Sequence, residues 1–598
     1  MKKYCVSTNR CERWRTREVV IGSVGVGGGN PIRIQSMTTT NTRDVGATVE
    51  QVIRLADAGC EIVRVTVQGK KEAEACEEIK NQLVSRGYEI PLVADIHFYP
   101  PAALLVADFV DKVRINPGNF VDKRATFQVL EYSDAEYRAE LERIEEKFVP
   151  LVTKCRQLKR ALRIGTNHGS LSDRIMNRYG DTPAGMVESA LEYARICRKY
   201  DFHDMIFSMK ASNPQVMIQA YRLLVAEMME LGWNYPLHLG VTEAGEGEDG
   251  RVKSAIGIGS LLLDGIGNTI RVSLTEDPWH EIDPCRRLVS FAEKAREKRV
   301  DPFVETHRDP FTFQRRQVES SPYLHPNGTV GLSLQDINEL GEATPDFIRL
   351  PQHHEADRPI MTEVLDLSSV RQTDLQNRFS LQKGSSENVV QVSDEKGWES
   401  LKKLTPHLIL LSPPQEGRLQ FCRKFFEHLI SLDCKVPVLL NFRYEGKWED
   451  VVIQASAECG ALLCDGLGEG VLLEGPFLAE NLCDLSFNIL QGSRMRAVKT
   501  EFISCPSCGR TLFSLQEVSA RIRERTAHLP GVKIAIMGCI VNGPGEMADA
   551  DFGYVGSRPD KVDLYVGKTC VEKNIDHFEA DDRLIELIKT HGKWIEPV

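Results

Sequence analysis

The chain of 598 residues has an ordinary globular composition, 16 cysteines and a formal net charge of −11, which predict about three domains and argue against non-specific nucleic-acid binding. No apolar run approaches the roughly 20 residues of a membrane span. Residues 1–21 are basic but lack the apolar core of a signal peptide, so we expect a cytoplasmic protein whose scattered cysteines are small core residues and not disulfides.

Short β-branched runs alternate with helical stretches from residue 30 to about 280. Eight such runs match the size and rhythm of a parallel (β/α)8 TIM barrel, and a doubly wound open sheet is the alternative. The predicted strands are Ile32–Met37, Ile62–Val67, Leu92–Ile96, Lys112–Asn116, Ala161–Thr166, Met205–Lys210, Leu237–Thr242 and Thr269–Leu274.

Polar side chains stand at the end of nearly every predicted strand. The carboxyl ends of barrel strands meet at one mouth, and alternation along a strand puts Arg114 and Asn116 on the same face. Guanidinium groups donate paired hydrogen bonds to phosphate oxygens, so cations in phase with the strand repeat indicate a polyphosphate site. The alternative is that these residues only face solvent. The cations are Arg64, Arg114, Arg163 and Lys210.

Three titratable residues at the same mouth are candidate acid or base groups. Asp95 and His97 end one strand, and Glu243 directly follows another. A single histidine is more often structural than catalytic, so His97 is the weaker candidate. Glu243 precedes a glycine-rich acidic loop, residues 244–250, whose other carboxylates we expect to lie in solvent.

The regular alternation of strands and helices breaks down between about residues 285 and 490, where irregular stretches such as Gln382–Asn388 and Ser393–Lys396 appear. Few basic residues end strands here, so we predict spacing or docking and no second active site. One hexapeptide, Leu262–Gly267, recurs as Leu463–Gly468, either by chance or because the insert is a second, decayed barrel-like unit. The strand-like runs are Leu408–Leu411, Val436–Asn441, Ala461–Leu463 and Val471–Leu473.

The last hundred residues predict a small α+β module. We therefore expect three domains, covering residues 1–284, 285–490 and 491–598. The predicted elements of the module are a helix at Leu515–Ala527, strands at Val532–Met537, Phe552–Val555 and Val562–Val566, and a closing helix near Asp581–Thr590.

Three cysteines of this module form a candidate metal site. Cys505 and Cys508 are separated by two residues, and Cys539 stands near a Gly-Pro-Gly turn that ends at Glu546. A zinc knuckle also has such a pair, but structural zinc prefers a second pair, which is missing, and Cys570 would be a distant fourth ligand. Three thiolates and one weak carboxylate fit a [4Fe–4S] cluster with one unusual iron better, because a ligand that leaves easily exposes iron to substrate.

These motifs resemble those of the 4-hydroxy-3-methylbut-2-enyl diphosphate synthase family. The cysteine motifs Cys505–Arg510 and Met537–Glu546 carry the resemblance, followed by Ala548 and Asp549. Residues 285–490 resemble the insert of the three-domain form of this family. The barrel motifs that agree are Gln35–Thr38, Ala94–His97, Arg114–Asn119 and Arg163–Ser170.

The resemblance implies an enzyme of the methylerythritol phosphate route to isoprenoids. It would open 2-C-methyl-D-erythritol 2,4-cyclodiphosphate reductively, with loss of water, to give 4-hydroxy-3-methylbut-2-enyl diphosphate. Electrons would come from ferredoxin or flavodoxin, and a homodimer is expected. The cluster domain would resemble the sulfite reductase module.

The resemblance also assigns roles to residues. Glu546 would bind the fourth iron and yield to substrate oxygen, while Glu243 and Asp95 would handle protons or bind hydroxyl groups. Cys505, Cys508 and Cys539 would hold the cluster. The diphosphate clamp would consist of Arg64, Arg114, Asn116, Arg163, Asn167, Lys210 and Ser273.

Two alternative functions remain open at this point. A siroheme sulfite or nitrite reductase has a similar small module but needs four cluster cysteines in two groups. A zinc-stapled binding protein on a barrel scaffold is the non-enzyme alternative. For the enzyme, we expect the cysteine module to close over the barrel mouth as a lid that excludes water, within one chain or between two.

Overall fold

The computed structural model describes residues 2–122, 132–296, 299–351, 360–361, 364–366, 389–404, 406–540, 543–547 and 549–597. The stretch predicted to be irregular at Gln382–Asn388 lies outside these residues, as do residues 541, 542 and 548 of the second cysteine motif. In the described part of the chain, no helix is long and apolar enough to cross a membrane.

The chain forms two compact units. The first contains Trp14–Ser254, Ile266–Val289 and Lys499–Val598, and the second contains the remainder. The barrel strands and the cysteine module therefore belong to the same unit. The three domain boundaries expected from the sequence stay a prediction.

The first unit contains the predicted barrel. Its eight parallel strands pair in the order β8-β7-β6-β5-β4-β3-β10-β9, and a bridge between Phe207 and Leu237 nearly closes the ring. The parallel barrel is thus confirmed, although its last two strands are shorter than predicted. The strands are β3 (Arg33–Met37), β4 (Ile62–Val67), β5 (Leu92–Ile96), β6 (Lys112–Ile115), β7 (Ala161–Asn167), β8 (Met205–Lys210), β9 (His238–Leu239) and β10 (Thr269–Ile270).

An antiparallel hairpin of β1 (Glu18–Ile21) and β2 (Val24–Gly27) precedes the barrel. It was not predicted, because its glycine-rich sequence gives little strand signal. Val19, Ile21 and Val26 pack against residues at the starts of several barrel strands, including Ile62 and Val93. The hairpin thus covers the end of the barrel opposite to the mouth.

Helices connect the barrel strands, and they begin at cap residues that the sequence supplies. Asp44, Ser133 and Thr182 each accept a hydrogen bond from the first turn of the helix that follows. The α-helices of this part are Val45–Asp57, Lys70–Ser85, Pro100–Val106, Pro117–Phe120, Asp134–Leu158, Asp173–Tyr179, Pro183–Lys199, Pro214–Glu230, Gly247–Ser254 and the first half of Ile282–Ala295, whereas Ser260–Leu263 belongs to the second unit.

The cysteine module is a mixed five-stranded sheet with helices. Strands β19, β20 and β21 are parallel, and β21, β22 and β23 are antiparallel. The strands are β19 (Glu501–Ser504), β20 (Lys533–Met537), β21 (Phe552–Arg558), β22 (Lys561–Val566) and β23 (Thr569–Asp576), and the helices are Leu515–Thr526, Gly543–Glu546 and His577–Thr590. β19 and β23 had not been predicted, and Cys570 lies half-buried on β23.

The second unit has its own eight-stranded parallel sheet, in the order β13-β12-β11-β18-β17-β16-β15-β14. This order repeats that of the barrel and agrees with a second barrel-like unit. The strands are β11 (Thr329–Ser333), β12 (Phe347–Arg349), β13 (Ile360–Met361), β14 (Val364–Asp366), β15 (Val389–Val392), β16 (Leu408–Leu411), β17 (Val438–Arg443) and β18 (Gly470–Glu474). Its helices are Leu401–Leu404, Arg418–Ser431, Trp448–Cys464 and Ala479–Gly492.

One strand prediction in this unit is wrong. Ala461–Leu463 lies within the helix Trp448–Cys464, which is buried over most of its length. A helix that is apolar on all sides shows no 3.6-residue alternation, so a short part of it cannot be distinguished from a buried strand.

The repeated hexapeptide marks two equivalent turns of the second unit. Asp264 and Asp465 both pair with Arg423, at 2.6 and 2.9 Å. Gly265 and Gly466 both have positive φ, and a side chain on either would collide with a backbone carbonyl about 2 Å away. Since Arg423 is buried together with both carboxylates, the repeated residues pack this unit internally, and the spacing or docking role of the insert stays a prediction.

Candidate active site

One cavity of the first unit is lined by both the barrel mouth and the cysteine loops. The two parts are far apart in the sequence, but within this single chain the module covers the mouth. Eight candidate barrel residues line the cavity, namely Arg64, Asp95, His97, Arg114, Asn167, Lys210, Glu243 and Ser273, and Cys505, Cys508 and Cys539 line it from the module.

Two predicted clamp residues lie behind this lining. Arg163 is fully buried beside Arg114 in the neighbouring strand, and its Nε and Nη1 atoms have no hydrogen-bond partner among the described residues. Asn116 donates to Ser170 Oγ at 2.7 Å and accepts from the Gly118 amide. Asn116 therefore shapes the loop after β6, and Arg163 adds positive charge behind the cavity lining.

The carboxylate of Asp95 anchors a buried network. Its Oδ1 atom accepts from Arg114 Nη1 at 2.7 Å, and Arg114 Nη2 donates to the Gly165 carbonyl and to Asn167 Oδ1. Although burial alone would raise the pKa of Asp95, Arg64 and Arg114 hold it well below its usual value. Asp95 is therefore an anion that orients the arginines and is unsuited to donating a proton.

His97 belongs to the same network in its neutral form. Arg114 Nη1 lies 2.9 Å from His97 Nε2, so this nitrogen accepts a hydrogen bond from the guanidinium, and Asn119 Nδ2 lies 3.2 Å from Nδ1. Burial and the nearby Arg510 lower the pKa of His97 to about 3. The sequence analysis ranked His97 as the weaker acid or base candidate, and its place in this buried network is compatible with a structural role.

We expect the neutral state of His97 to destabilise the protein in acid. Between about pH 6.5 and 3 the unfolded chain binds a proton at His97 that the folded chain does not, so the free energy of unfolding falls by up to ~1.4 kcal/mol per pH unit as the pH drops. The H97Q variant has no titrating group at this position, so this contribution to the pH dependence of the free energy of unfolding is lost. Denaturation between pH 6.5 and 4.5 should show a shallower pH dependence for H97Q, whereas the exposed control H591Q keeps the wild-type slope. Equal slopes for all three proteins would contradict the assignment.

The cavity is rich in buried cations. Burial lowers the pKa of Arg64 to about 10, and burial together with Arg64 and Arg271 lowers the pKa of Lys210 well below its usual value. Among the described residues, the hydrogen-bond contacts of Arg64 go to the Met37 sulfur. Such a concentration of positive charge is stabilised when a polyanion binds.

Arg271 is a lining residue that the sequence analysis missed. It lies on β10's continuation, its guanidinium forms two hydrogen bonds to Glu281 at 2.8 and 2.9 Å, and it is 2% exposed. The signal was present, because alternation places Arg271 on the same face as the predicted Ser273. Thr242 and Arg510 are further lining residues without an earlier assignment.

Glu546 reaches the site through a close backbone approach. The turn His168–Ser170 after β7 contacts the short helix Gly543–Glu546. A Cβ atom on Gly545 would lie 1.2 Å from the Gly169 carbonyl oxygen, and one on Gly169 would lie 2.2 Å from the Glu546 amide. Only glycine permits this contact. It places the Glu546 carboxyl group next to Asn167 and Glu243, two residues that line the cavity, although Glu546 itself is not part of the lining.

Glu546 and Glu243 form a buried pair of carboxyl groups. Burial raises the pKa of both groups, and the adjacent Glu243 adds to the increase at Glu546. Glu243 also has a left-handed backbone, with φ of 49° in the loop after β9, a strained conformation that is typical of functional sites. Two carboxyl groups in contact hold one proton between them.

Cys505, Cys508 and Cys539 line the same cavity. The Gly538 amide donates to Cys505 Sγ at 3.3 Å, and burial followed by the neighbouring Cys539 raises the pKa of the Cys505 thiol. Among the described residues, no group of three or more His, Cys, Asp or Glu side chains has the geometry to hold one metal ion. The four ligands of a [4Fe–4S] cluster each bind a different iron atom and need not meet at one point, so three thiols and a nearby carboxylate are compatible with a cluster of this type.

The acidic loop after Glu243 helps to hold the module on the barrel. Glu246 pairs with Arg523 at 2.8 Å, and Asp249 pairs with Lys499 at 2.7 Å. The expectation that these carboxylates lie in solvent was therefore wrong, because the partner cations are more than 200 residues away in the sequence. Nearby, Lys253 forms a buried ion pair with Glu501 at 2.9 Å.

Comparisons with known proteins agree with this geometry. The GcpE TIM-barrel domain model matches residues 16–286, and the GcpE protein C-terminal domain model matches residues 501–590. A protein of Protochlamydia amoebophila named 4-hydroxy-3-methylbut-2-en-1-yl diphosphate synthase (flavodoxin) is 59% identical over 100% of this chain and 99% of its own length.

Two further relatives show the same full-length correspondence. A chloroplastic protein of Oryza sativa with the same enzyme name, followed by (ferredoxin), is 52% identical over 100% of this chain and 89% of its own length. A flavodoxin-type synthase of Akkermansia muciniphila is 49% identical over 99% of both chains. With both family models matching and identity extending across the insert, the chain belongs to the GcpE family of 4-hydroxy-3-methylbut-2-en-1-yl diphosphate synthases.

Proposed function

We propose that this cavity is where the chain carries out the reaction of its family. The reaction is the reductive opening and dehydration of 2-C-methyl-D-erythritol 2,4-cyclodiphosphate to 4-hydroxy-3-methylbut-2-enyl diphosphate, in isoprenoid biosynthesis. The observation that carries the proposal is that three thiols and the barrel cations line one cavity. The zinc-stapled and siroheme alternatives are not favoured, because the family is that of the synthases.

The cluster assignment rests on the donor set. Cys505, Cys508, Cys539 and Glu546 would hold a [4Fe–4S] cluster, which, when bound, supplies electrons one at a time to the substrate. The module would then be a cluster domain similar to that of sulfite reductases. Glu546 has one carboxylate oxygen, Oε1, that is buried without a hydrogen-bond partner in the described structure, as expected of an oxygen reserved for a ligand.

The diphosphate clamp comprises cations and amides at the strand ends. Arg64, Arg114 and Lys210 would bind phosphate oxygens, with Asn167 and Ser273 donating further hydrogen bonds. Arg163 and Asn116 would support these residues from behind. Binding the anion relieves the repulsion among the buried cations, and this relief favours binding of the diphosphate.

Glu243 is the proposed proton carrier, and Asp95 has a different role. Burial raises the pKa of Glu243, which favours the protonated form of a group that lines the cavity. Asp95 remains ionised and would orient Arg114 and a substrate hydroxyl group. The covering module excludes water from the reacting groups.

The electron donor, location and assembly are also proposals. The names of the relatives include both flavodoxin and ferredoxin, so a small carrier of either class is proposed here. The sixteen cysteines all lie among the described residues and none of them forms a disulfide there, which is compatible with a reducing compartment such as the cytoplasm. A homodimer is carried over from the resemblance alone.

An anaerobic turnover assay tests the function. Protein reconstituted with iron and sulfide is mixed with the cyclic diphosphate and reduced flavodoxin or ferredoxin, and products are identified by mass spectrometry. We expect the linear diphosphate to form with reduced carrier and no product with oxidised carrier. Intact substrate after incubation with a fully loaded, reduced enzyme would contradict the proposal.

A further inference from the structure

Arg510 has a place in the cavity that neither the ligand set nor the diphosphate clamp explains. It ends the loop that carries Cys505 and Cys508, and its side chain is only 8% exposed. Its Nη2 atom lies 3.4 Å from Asp95 Oδ2. Its Nε and Nη1 atoms are buried and have no hydrogen-bond partner within the described residues. Two unsatisfied N–H groups of a buried cation indicate an acceptor that the protein chain alone does not supply.

The lining of the cavity indicates where that acceptor lies. Arg510 lines the same cavity as Cys505, Cys508 and Cys539. Asp95 is its partner on the barrel side, at 3.4 Å, and the cysteine sulfurs belong to the module that carries Arg510. A guanidinium has five N–H donors in a rigid fork and can serve both sides at once, whereas an ammonium is a point charge.

Asp95 extends this connection to the substrate side of the cavity. Its Oδ1 accepts from Arg114, a clamp residue, while its Oδ2 faces Arg510. The loop itself is seated on the barrel, since a Cβ on Gly509 would lie 2.6 Å from the Thr40 carbonyl. Asp95 therefore connects Arg114, one of the barrel cations, to Arg510 on the cysteine loop.

We propose that Arg510 is a positioning residue that fixes the cysteine loop to Asp95 and donates its free N–H groups to the cluster sulfurs, thereby making the cluster easier to reduce. This inference rests on the proposed function, because it presumes that Cys505, Cys508 and Cys539 hold a cluster. One-electron reduction adds a negative charge, which an adjacent cation and N–H donors to sulfur stabilise.

The charge-removing variant R510M tests the effect on potential. Anaerobically reconstituted wild type, R510M and R521M are titrated with reductant, and cluster reduction is followed by electron paramagnetic resonance. We expect R510M to be reduced about tenfold less favourably at a given potential, a shift of ~59 mV to lower values. Arg521 also belongs to the module but pairs with Asp581 and is 43% exposed, so R521M should keep the wild-type midpoint although it loses the same charge.

The charge-keeping variant R510K tests the fixing of the loop separately. We expect a midpoint reduction potential close to that of the wild type. The KM for the cyclic diphosphate should rise about tenfold, because a lysine ammonium cannot hydrogen-bond Asp95 and the sulfurs at the same time. A wild-type midpoint in loaded R510M overturns the inference. If R510M fails to load a cluster, R510K decides, and a wild-type KM in R510K overturns it. A wild-type chain without any cluster would overturn the proposed function as well, so the two failures are distinguishable.

Discussion

Replacing Glu546 with alanine should abolish turnover while leaving the protein folded and iron-loaded. We expect a loss of at least ~100-fold, the upper end for groups that only support metal ligands. Iron should stay near the wild-type content, because three thiols remain. Stability should not fall, since the substitution removes a buried carboxyl group whose Oε1 lacks a partner among the described residues.

Kinetics, iron content and thermal unfolding check this expectation on one preparation. E546Q keeps the size of the side chain but not the anionic oxygen, and we expect it to be as inactive as E546A. The matched control is D549A, which removes an exposed carboxylate three residues later and should retain full activity. Full turnover by E546A would remove Glu546 from the ligand set.

Replacing Lys210 is expected to weaken substrate binding but to stabilise the ligand-free protein. K210M should raise KM for the cyclic diphosphate about 100-fold, since losing one partner of a buried charge pair costs ~2–5 kcal/mol. The ligand-free protein should unfold at a higher temperature, because a buried ammonium near Arg64, Arg271 and Arg163 is removed. Steady-state kinetics and calorimetry of the ligand-free protein measure the two effects.

Lys112 provides a matched control for this prediction. It is fully buried in the same barrel, and burial, Arg163 and Arg64 lower its pKa, but it does not line the cavity. K112M should therefore also stabilise the ligand-free protein while changing KM far less than K210M. Equal increases in KM for both variants would contradict the prediction, because they would show that Lys210 acts through the overall positive potential of the barrel and not through contact with phosphate.

Local sequence patterns were sufficient for most of the barrel. Strands such as Ile62–Val67 and Met205–Lys210 are continuous β-branched or apolar runs between helices, and the structure has them at the predicted bounds. The hairpin Glu18–Gly27 lacked that signal because it is short and glycine-rich. The buried helix Trp448–Cys464 misled the prediction because it is apolar on all sides.

The composition of the site was partly predictable, but its pairings were not. Strand alternation and Cys-x-x-Cys spacing are local, so most lining residues could be named from the sequence. Arg271 was accessible by the same reasoning as Ser273. By contrast, Glu243 meets Glu546, and Asp95 meets Arg510, only because the module folds back over the barrel. Contacts over several hundred residues leave no periodic signal in a single sequence.

The acidic loop illustrates the same limit. Glu246 and Asp249 stand in a glycine-rich run with all the local properties of a solvent-exposed loop. Their partners Arg523 and Lys499 belong to the distant module. Whether a charged loop is solvated or forms ion pairs depends on the tertiary fold.

The most direct test of the active-site assignment is the content of iron and acid-labile sulfide in anaerobically purified protein. We expect a brown, oxygen-sensitive protein with about four iron atoms and four sulfides per chain, as a [4Fe–4S] cluster requires. The variant C539S should lose most of both. A colourless protein that contains about one zinc ion and no sulfide would contradict the assignment of Cys505, Cys508, Cys539 and Glu546 as cluster ligands.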